Sequence, residues 1–353
     1  MLLTALLVTV AAFIVALAIT SVVRQRALSR GELEQVNARS SHVVPTPSSG
    51  GIGIATGGTL VTLAIAYLQP WVGMPVAIAG ILIAILGYVD DRRHIPARWR
   101  LGAQIILVGV VVSVLPLDVL STALGIAMPD MVLFVLLVIA GAFWLNLFNF
   151  MDGIDGLAAS EAIFLLLALT LLPFLISPAV MIHPSFWWPV GVAAACGGFL
   201  VLNWPPAKIF MGDVGSTWLG LMLTFFALLG LVMGSVNLPQ LLILPAAFLA
   251  DALTTLGRRL ARGERVYEAH RRHAYQLLAL RFGSHRKVTL LYMAINVVVL
   301  LPLTWHARDL GAVGWLVALA VYAVLVPAAW WAGAGRPLDP QSDEERPEPD
   351  NRQ

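Results

Sequence analysis

Five aspartates, Asp90, Asp91, Asp152, Asp155 and Asp213, stand at the ends of long apolar runs, and their type and spacing make them the first candidates for chemistry. A carboxylate at a membrane boundary is costly unless it is hydrated, paired or bound to a cation. Two of the five belong to a row in which Asn146, Asn149, Asp152 and Asp155 recur at every third position. Residues three apart are neighbours on a helix, so the first three fall along one side. Gly153 and Gly156 then permit a sharp turn and close approach of a ligand. Clustered carboxylates repel and raise one another's pKa unless a cation keeps them ionised. Oxygen ligands without histidine or cysteine partners suit Mg²⁺ or Mn²⁺. Mg²⁺ takes only one or two carboxylates and completes its shell with water and phosphate. The surplus aspartates are therefore available to act as a base or to organise the others.

Three further stretches bear on an anion. Phe210-Met-Gly-Asp213-Val-Gly215-Ser216 is a Gly-Asp-x-Gly-Ser turn opening an apolar run, and a helix starting there offers free N–H groups and a positive dipole end. The loop 257–287 holds nine Lys and Arg, among them Arg271, and the stretch His270-Arg-Arg-His273-Ala-Tyr275 has the groups to grip a diphosphate. A simple bias of cations toward one membrane face explains the same arginines, and two histidines three apart do not make a zinc site. The loop around Pro45-Thr-Pro47-Ser-Ser-Gly50-Gly51 is fixed by prolines and opened by glycines immediately before an apolar run.

The elements that must carry these residues follow from composition. Of 353 residues only 12% are charged and 59% are hydrophobic, against about 25% charged in a soluble globular domain. That excludes an ordinary soluble enzyme, a disordered chain and a nucleic-acid binder working through a broad basic surface. The single cysteine, Cys196, excludes an internal disulfide and a cysteine metal site. A bilayer core of about 30 Å needs about 20 apolar residues per helix. Eleven runs qualify, near 2–22, 52–68, 72–89, 101–117, 131–148, 158–178, 187–203, 215–235, 239–256, 288–304 and 311–331. The expected fold is an all-α polytopic membrane protein of about eleven transmembrane helices over 1–331, with a Pro-, Glu- and Asp-rich tail, 332–353, expected to be disordered. With eleven spans, 21 of the 22 Lys and Arg lie in alternate connections and the tail, leaving only Arg308 opposite. By the positive-inside rule this puts those connections and the C-terminus in the cytoplasm and the N-terminus in the periplasm. All five aspartates then gather at the cytoplasmic face.

The stretches NLFNFMDGIDGLA (146–158), AKIFMGDVGS (207–216), GYVDD (87–91), PTPSSGGIGI (45–54) and HRRHAYQ (270–276) together resemble the bacterial polyprenyl-phosphate N-acetylhexosamine-1-phosphate transferases, glycosyltransferase family 4. The resemblance spans roughly residues 1–330, and its DGIDG and MGDVGS stretches are the most specific. It implies an inner-membrane enzyme that moves a sugar-1-phosphate from a UDP-N-acetylhexosamine to undecaprenyl phosphate, with Mg²⁺, releasing UMP and starting a lipid-linked glycan. Asp152 and Asp213 match the metal-side carboxylates of that family. Asp90 and Asp91 match the acidic pair assigned to catalysis or to the lipid phosphate, and Asp155 is carried with them as a candidate catalytic carboxylate. Asn146 and Asn149 match asparagines near metal and nucleotide, and His270, Arg271 and His273 match the histidine motif. Gly215 and Ser216 complete the expected substrate-binding set. Arg92-Arg93-His94 follows the acidic pair, and there is no run of three consecutive histidines. Both departures point away from the phospho-N-acetylmuramoyl-pentapeptide transferase branch and toward enzymes that initiate O-antigen or related surface glycans. A transporter or flippase is the competing class. It requires ionisable residues near mid-membrane, and Asp251, inside the ninth apolar run, is its one candidate.

Overall fold

The computed structural model describes residues 2–34, 45–93, 95–264, 271–308 and 310–337, and these are almost entirely helical. Among them no strand forms; an isolated antiparallel bridge joins Glu34 to Thr46. His270, and the tail from 338 onward, lie outside the described residues.

In chain order the helices are α1 (Leu2–Arg30), α2 (Gly51–Leu68), α3 (Pro70–Arg93), α4 (Ala97–Ser113), α5 (Leu117–Leu124), α6 (Asp130–Phe150), α7 (Leu157–Ile176), α8 (Pro184–Asn203), α9 (Gly212–Val232), α10 (Leu238–Ile243), α11 (Ala246–Ala261), α12 (Ala274–Phe282), α13 (His285–Ala294), α14 (Leu301–His306) and α15 (Ala312–Ala332). Between α13 and α14 the chain continues through a π-helical turn, Ile295–Leu300, so that His285–His306 runs as one long helix. Pro302 lies just beyond that turn; a proline lacks the N–H of a regular helix and its ring crowds the preceding turn, which a locally wider turn relieves.

Among the described residues nine helices are long and apolar enough to cross a membrane, and a tenth span forms if α4 and α5, bent by 92° at their junction, are counted together. This differs from the eleven expected. The bend falls next to Pro116, and the run 239–256 is divided at Leu244-Pro245 into the short α10 and the 16-residue α11. Proline breaks the helical hydrogen-bond ladder in both places. α11 also carries Asp251, Arg258 and Arg259.

α9 is the axis of the bundle: 83% of its apolar stretch is buried, against 11% for α1 at the lipid-facing edge. It packs on α3, α6, α2 and α7. Small residues let the backbones meet, as expected where lipid supplies no hydrophobic drive between helices. A Cβ on Gly87 of α3 would fall 2.6 Å from the Asp213 carbonyl oxygen, so α3 and α9 approach most closely one helical turn from the acidic pair. The chain thereby brings Asp90-Asp91 and Asp213 to one end of the bundle through backbone contact.

Candidate active site

The site is built from the C-terminal ends of α3 and α6, the start of α4, the turn after α6, and the N-terminus of α9. At its base Arg100, from α4, lies between two carboxylates: its Nη1 donates to Asp90 Oδ2 and is 3.5 Å from Asp213 Oδ2. Asp90 is buried, and its other oxygen accepts the Ile95 N–H at 2.7 Å. A bidentate-capable guanidinium is suited to hold two carboxylates together that would otherwise repel.

Asp91 faces the opposite way. Its Oδ1 accepts the backbone N–H of Asp213 at 2.8 Å, and its Oδ2 accepts the Ser49 hydroxyl at 2.9 Å. It therefore caps α9 from another helix, a favourable position for a negative charge at a helix N-terminus. The free N–H groups expected of the Gly-Asp-x-Gly-Ser turn are in part already met by a carboxylate of the protein itself. Gly212 makes this possible: its φ is +73°, and a Cβ there would sit 2.5 Å from Asp91 Oδ2.

The asparagine row lies where the spacing places it. α6 ends at Phe150, and Asp152 follows in the turn rather than on the helix. Asn146 Nδ2 donates to Gln104 Oε1 of α4 at 2.8 Å. Asn149 Oδ1 accepts the Ser216 hydroxyl at 2.6 Å, tying α6 to the first turn of α9. Ser216 and Gly215 are both buried, Gly215 lying within 3 Å of where a Cβ of Gly51 would be.

Asp152 is half-buried and accepts no hydrogen bond among the described residues. Burial, and after it the carboxylates of Asp213, Glu34, Asp91 and Asp155, push its pKa well above the ordinary carboxylate range. A cation bound beside such a carboxylate would favour its ionised form. Among the described residues no three His, Cys, Asp or Glu side chains come together as a metal cluster. Asp213 is the first of the carboxylates whose charge raises Asp152, and two neighbouring carboxylates fall within the one or two that Mg²⁺ takes from protein when water and phosphate complete its shell.

Asp155 is tied into the fold. Its Oδ2 accepts the Ala207 N–H at 3.0 Å, its Oδ1 is 3.0 Å from His285 Nδ1, and its carbonyl accepts the Thr289 hydroxyl at 2.9 Å. The turn is held a second time by Asn203, which accepts the Gly156 N–H and donates to the Ile209 carbonyl.

The histidine stretch packs inward. Asp251 accepts the Ala274 N–H at 2.7 Å, the Tyr275 N–H at 2.9 Å and the Tyr292 hydroxyl at 2.9 Å, and so caps α12 from α11. His273 is buried with Nδ1 3.4 Å from Asp251 Oδ1, its ring stacked on Tyr275 at 5.6 Å between centroids. Tyr275 donates its hydroxyl to the Phe150 carbonyl at 3.0 Å, which links this stretch to the end of α6. Arg271 is buried. The base of the loop is closed by Glu264, which meets Arg259, Arg262 and Arg272 at 3.0, 2.8 and 2.7 Å. These arginines hold Glu264 down to about 2. Asp251, the residue on which a carrier would depend, is thus committed to the fold.

Reading residues one at a time misses Arg100, Ser49, Gln104 and Asn203. Arg100 counts as one of four cations in a loop, and nothing local distinguishes it from Arg92, Arg93 or Arg98. Ser49 lies within the PTPSSGG stretch but carries no mark of its own. Asn203 is visible only as a polar residue ending an apolar run.

Fold and site together define a polytopic helical membrane enzyme with a polar, carboxylate-rich centre at one end of the bundle. The Glycosyl transferase family 4 profile matches residues 74–231, which include the acidic pair, the asparagine row and Asp213. Decaprenyl-phosphate N-acetylglucosaminephosphotransferase of Mycolicibacterium smegmatis is 31% identical over 87% of this chain and 83% of its own length. The probable undecaprenyl-phosphate N-acetylglucosaminyl 1-phosphate transferase of Bacillus subtilis is 28% identical over 82% of each chain. Phospho-N-acetylmuramoyl-pentapeptide-transferase of Moorella thermoacetica is 32% identical over 58% of this chain and 68% of its own. The chain belongs to glycosyl transferase family 4. The wider coverage by the N-acetylglucosamine enzymes agrees with the direction in which the histidine stretch and Arg92-Arg93-His94 depart.

Proposed function

We propose that the chain transfers an N-acetylhexosamine 1-phosphate from a UDP-sugar to undecaprenyl phosphate at the cytoplasmic face of a bacterial inner membrane, as the first step of a lipid-linked glycan. The observation that carries this reading is Asp152, which accepts no hydrogen bond among the described residues and feels the charges of Asp213 and Asp91, while Arg100 bridges Asp213 to Asp90. The names of the relatives supply the acceptor and sugar class.

A phosphate oxygen of the lipid attacks the β-phosphorus of the nucleotide sugar. The bond from that phosphorus to the bridging oxygen breaks, UMP leaves, and the lipid diphosphate sugar remains. Both substrates are anions, so positioning and charge neutralisation dominate. Asp152 and Asp213 would hold Mg²⁺, or Mn²⁺ in its place. Such an ion offsets the phosphate charge and polarises phosphoryl oxygens. Arg100 keeps Asp90 and Asp213 together, and Ser49 fixes the direction of Asp91. Asp90 or Asp91 receives the proton of the lipid phosphate, which demands little basicity because the second pKa of a phosphate monoester is about 6. Asp155 positions the turn that carries Asp152. Asn146 and Asn149 set the end of α6 against α4 and α9. Buried Ser216 and His273 support the site from behind, and Gly215 permits the contact of α2 with α9. Arg271, His270 and the cations of the same loop favour a nucleotide diphosphate by charge.

The test uses purified protein, Mg²⁺, undecaprenyl phosphate and a panel of UDP-N-acetylhexosamines. The expected result is UMP release with one or more sugars, abolished by chelator. Absence of UMP with every sugar would overturn the reading.

A further inference from the structure

We propose that Glu161 of α7 holds a proton in the folded protein and, as a neutral carboxylic acid, pairs reciprocally with Asn296, clasping α7 to the long helix 285–306 and steadying the turn that bears Asp152 and Asp155. The protonation goes beyond the transferase reading and is independent of it; only the effect on turnover rests on that reading.

Glu161 is the one charged residue of α7, and its side chain and that of Asn296 are both fully buried. Asn296 Nδ2 donates to Glu161 Oε2 at 2.5 Å. Two buried acceptors are left over: Glu161 Oε1 and Asn296 Oδ1 receive no hydrogen bond among the described residues. An ionised carboxylate only accepts, so with Glu161 ionised neither oxygen can be served by the other group. A single hydrogen on Oε1 serves both. The acid then donates to Asn296 Oδ1 while the amide donates to Oε2, and each group gives one hydrogen and takes one. A buried polar group left unpaired is costly, so the pattern of leftover atoms itself calls for the proton.

No cation supplies the alternative. Among the described residues Glu161 makes no ion pair, and Asn296 is its one side-chain partner. Of the helices packed nearby, α8 has Cys196 as its one titratable side chain and α9 has Asp213, at its start. On the long helix Arg286 and Lys287 are exposed, and Lys287 lies about 13 Å before Asn296 at 1.5 Å per residue. His285 lies with Asp155, Tyr292 donates to Asp251, and His306 ends the helix. On α11, Arg258 is taken by the carbonyls of Trp330 and Ala334, and Arg259 by Glu264. A carboxyl shut away from water with no cation takes up a proton rather than remain charged.

Asn296 sits at a turn set apart by its own hydrogen bonding. The Leu301 N–H donates to the Asn296 carbonyl, five residues back, closing the π-helical stretch Ile295–Leu300. Such turns are frequent at functional sites. α7 and the long helix are already joined near their starts, where Asp155 Oδ1 meets His285 Nδ1 at 3.0 Å and the Asp155 carbonyl accepts the Thr289 hydroxyl at 2.9 Å. The Glu161–Asn296 pair is a second fastening, since Thr289 to Asn296 spans about 10 Å at 1.5 Å per residue. One fastening leaves two helices free to pivot, and two do not. The turn that bears Asp152 and Asp155 therefore runs into a fixed α7.

The decisive experiment is an infrared difference spectrum between the full-length wild type and Glu161→Gln, each in lipid nanodiscs at neutral pH. The wild type should show the carbonyl stretch of a protonated carboxylic acid that the variant lacks. Carboxylate stretching bands in its place would overturn the proposal. In Asn296→Ala the acid band should move, because its carbonyl has lost the amide donor; an unmoved band would overturn the pairing. Turnover tests the clasp. Glutamine offers the same exchange of one hydrogen each way, so Glu161→Gln should release UMP at a rate within about twofold of wild type. Glu161→Ala leaves Asn296 buried alone and should lower kcat about tenfold while KM for each substrate stays within about twofold, since a small misplacement of reacting groups costs rate. Wild-type kcat in folded Glu161→Ala, or a loss in Glu161→Gln as large as in Glu161→Ala, would overturn the clasp. Absence of UMP from the wild type would overturn the transferase reading and leave the infrared assignment standing.

Discussion

Asp152 and Asp251 are both carboxylates held among apolar helices, yet they stand at opposite extremes of satisfaction. Asp251 accepts two backbone N–H groups and a tyrosine hydroxyl and lies beside His273. Asp152 accepts nothing among the described residues and faces four other carboxylates. The first anchors α12 to α11. The second is disfavoured as an anion by its neighbours, and a cation bound beside it would relieve that. The contrast separates carboxylates that maintain the fold from those that await a ligand, and Asp155, bonded to Ala207 and His285, falls with Asp251.

The sharpest way to break this distinction is to neutralise each member. Asp152→Asn should lower the rate of UMP release about 10³-fold, the loss expected when several kcal/mol of metal-linked charge stabilisation disappears. Its thermal midpoint should not fall, because the substitution removes repulsion with Asp213 and breaks no hydrogen bond. Asp251→Asn should do the reverse. It places an amide where four donors converge, the Thr255 hydroxyl among them, and loss of a buried, hydrogen-bonded charge costs about 3 kcal/mol, which a fall of several degrees in the thermal midpoint would register. Arg100→Ala combines both effects: it leaves buried Asp90 without its cation and frees Asp213 to repel its neighbours. Turnover should fall about 10²-fold, with Arg100→Lys recovering part of it, since a lysine restores charge without the planar fork. Glu264 gives the smallest effect. Its pKa is lowered from 4.5 to about 2 in the folded state, so its contribution is present above the ordinary carboxylate range and is lost as pH falls toward 2. Glu264→Gln should lower the amide protection factors of α12 at neutral pH and abolish the further loss of protection that acid produces in the wild type.

The acidic residues that matter were legible because their chemistry contradicts their surroundings. A carboxylate beside lipid is conspicuous, and the three-residue repeat from Asn146 to Asp155 assembles locally on one helix and the turn after it. The helical membrane architecture was legible for the same reason, since apolar runs of sufficient length have no other stable form in lipid. What stayed hidden depends on distance in the chain. Arg100 acquires its role by meeting Asp213, 113 residues away, and Ser49 by meeting Asp91. His273 reads as a substrate ligand because a histidine among arginines suggests anion binding, but its position is set by Asp251, which caps the helix following it. The span count differs because α4 turns sharply into α5 beside Pro116 and Pro245 divides the run 239–256, while average hydropathy is unaffected by a bend.

One comparison bears most directly on the claim that Asp152 serves the reaction and Asp251 the fold. It is the initial rate of UMP release by Asp152→Asn and by Asp251→Asn, each at saturating Mg²⁺ and normalised to the folded fraction measured on the same sample. Folded Asp251→Asn should retain a rate within about tenfold of wild type while fully folded Asp152→Asn should be almost inactive, a difference of two or more factors of ten corresponding to about 3 kcal/mol. Wild-type turnover by Asp152→Asn, or equal loss in both variants, would contradict it.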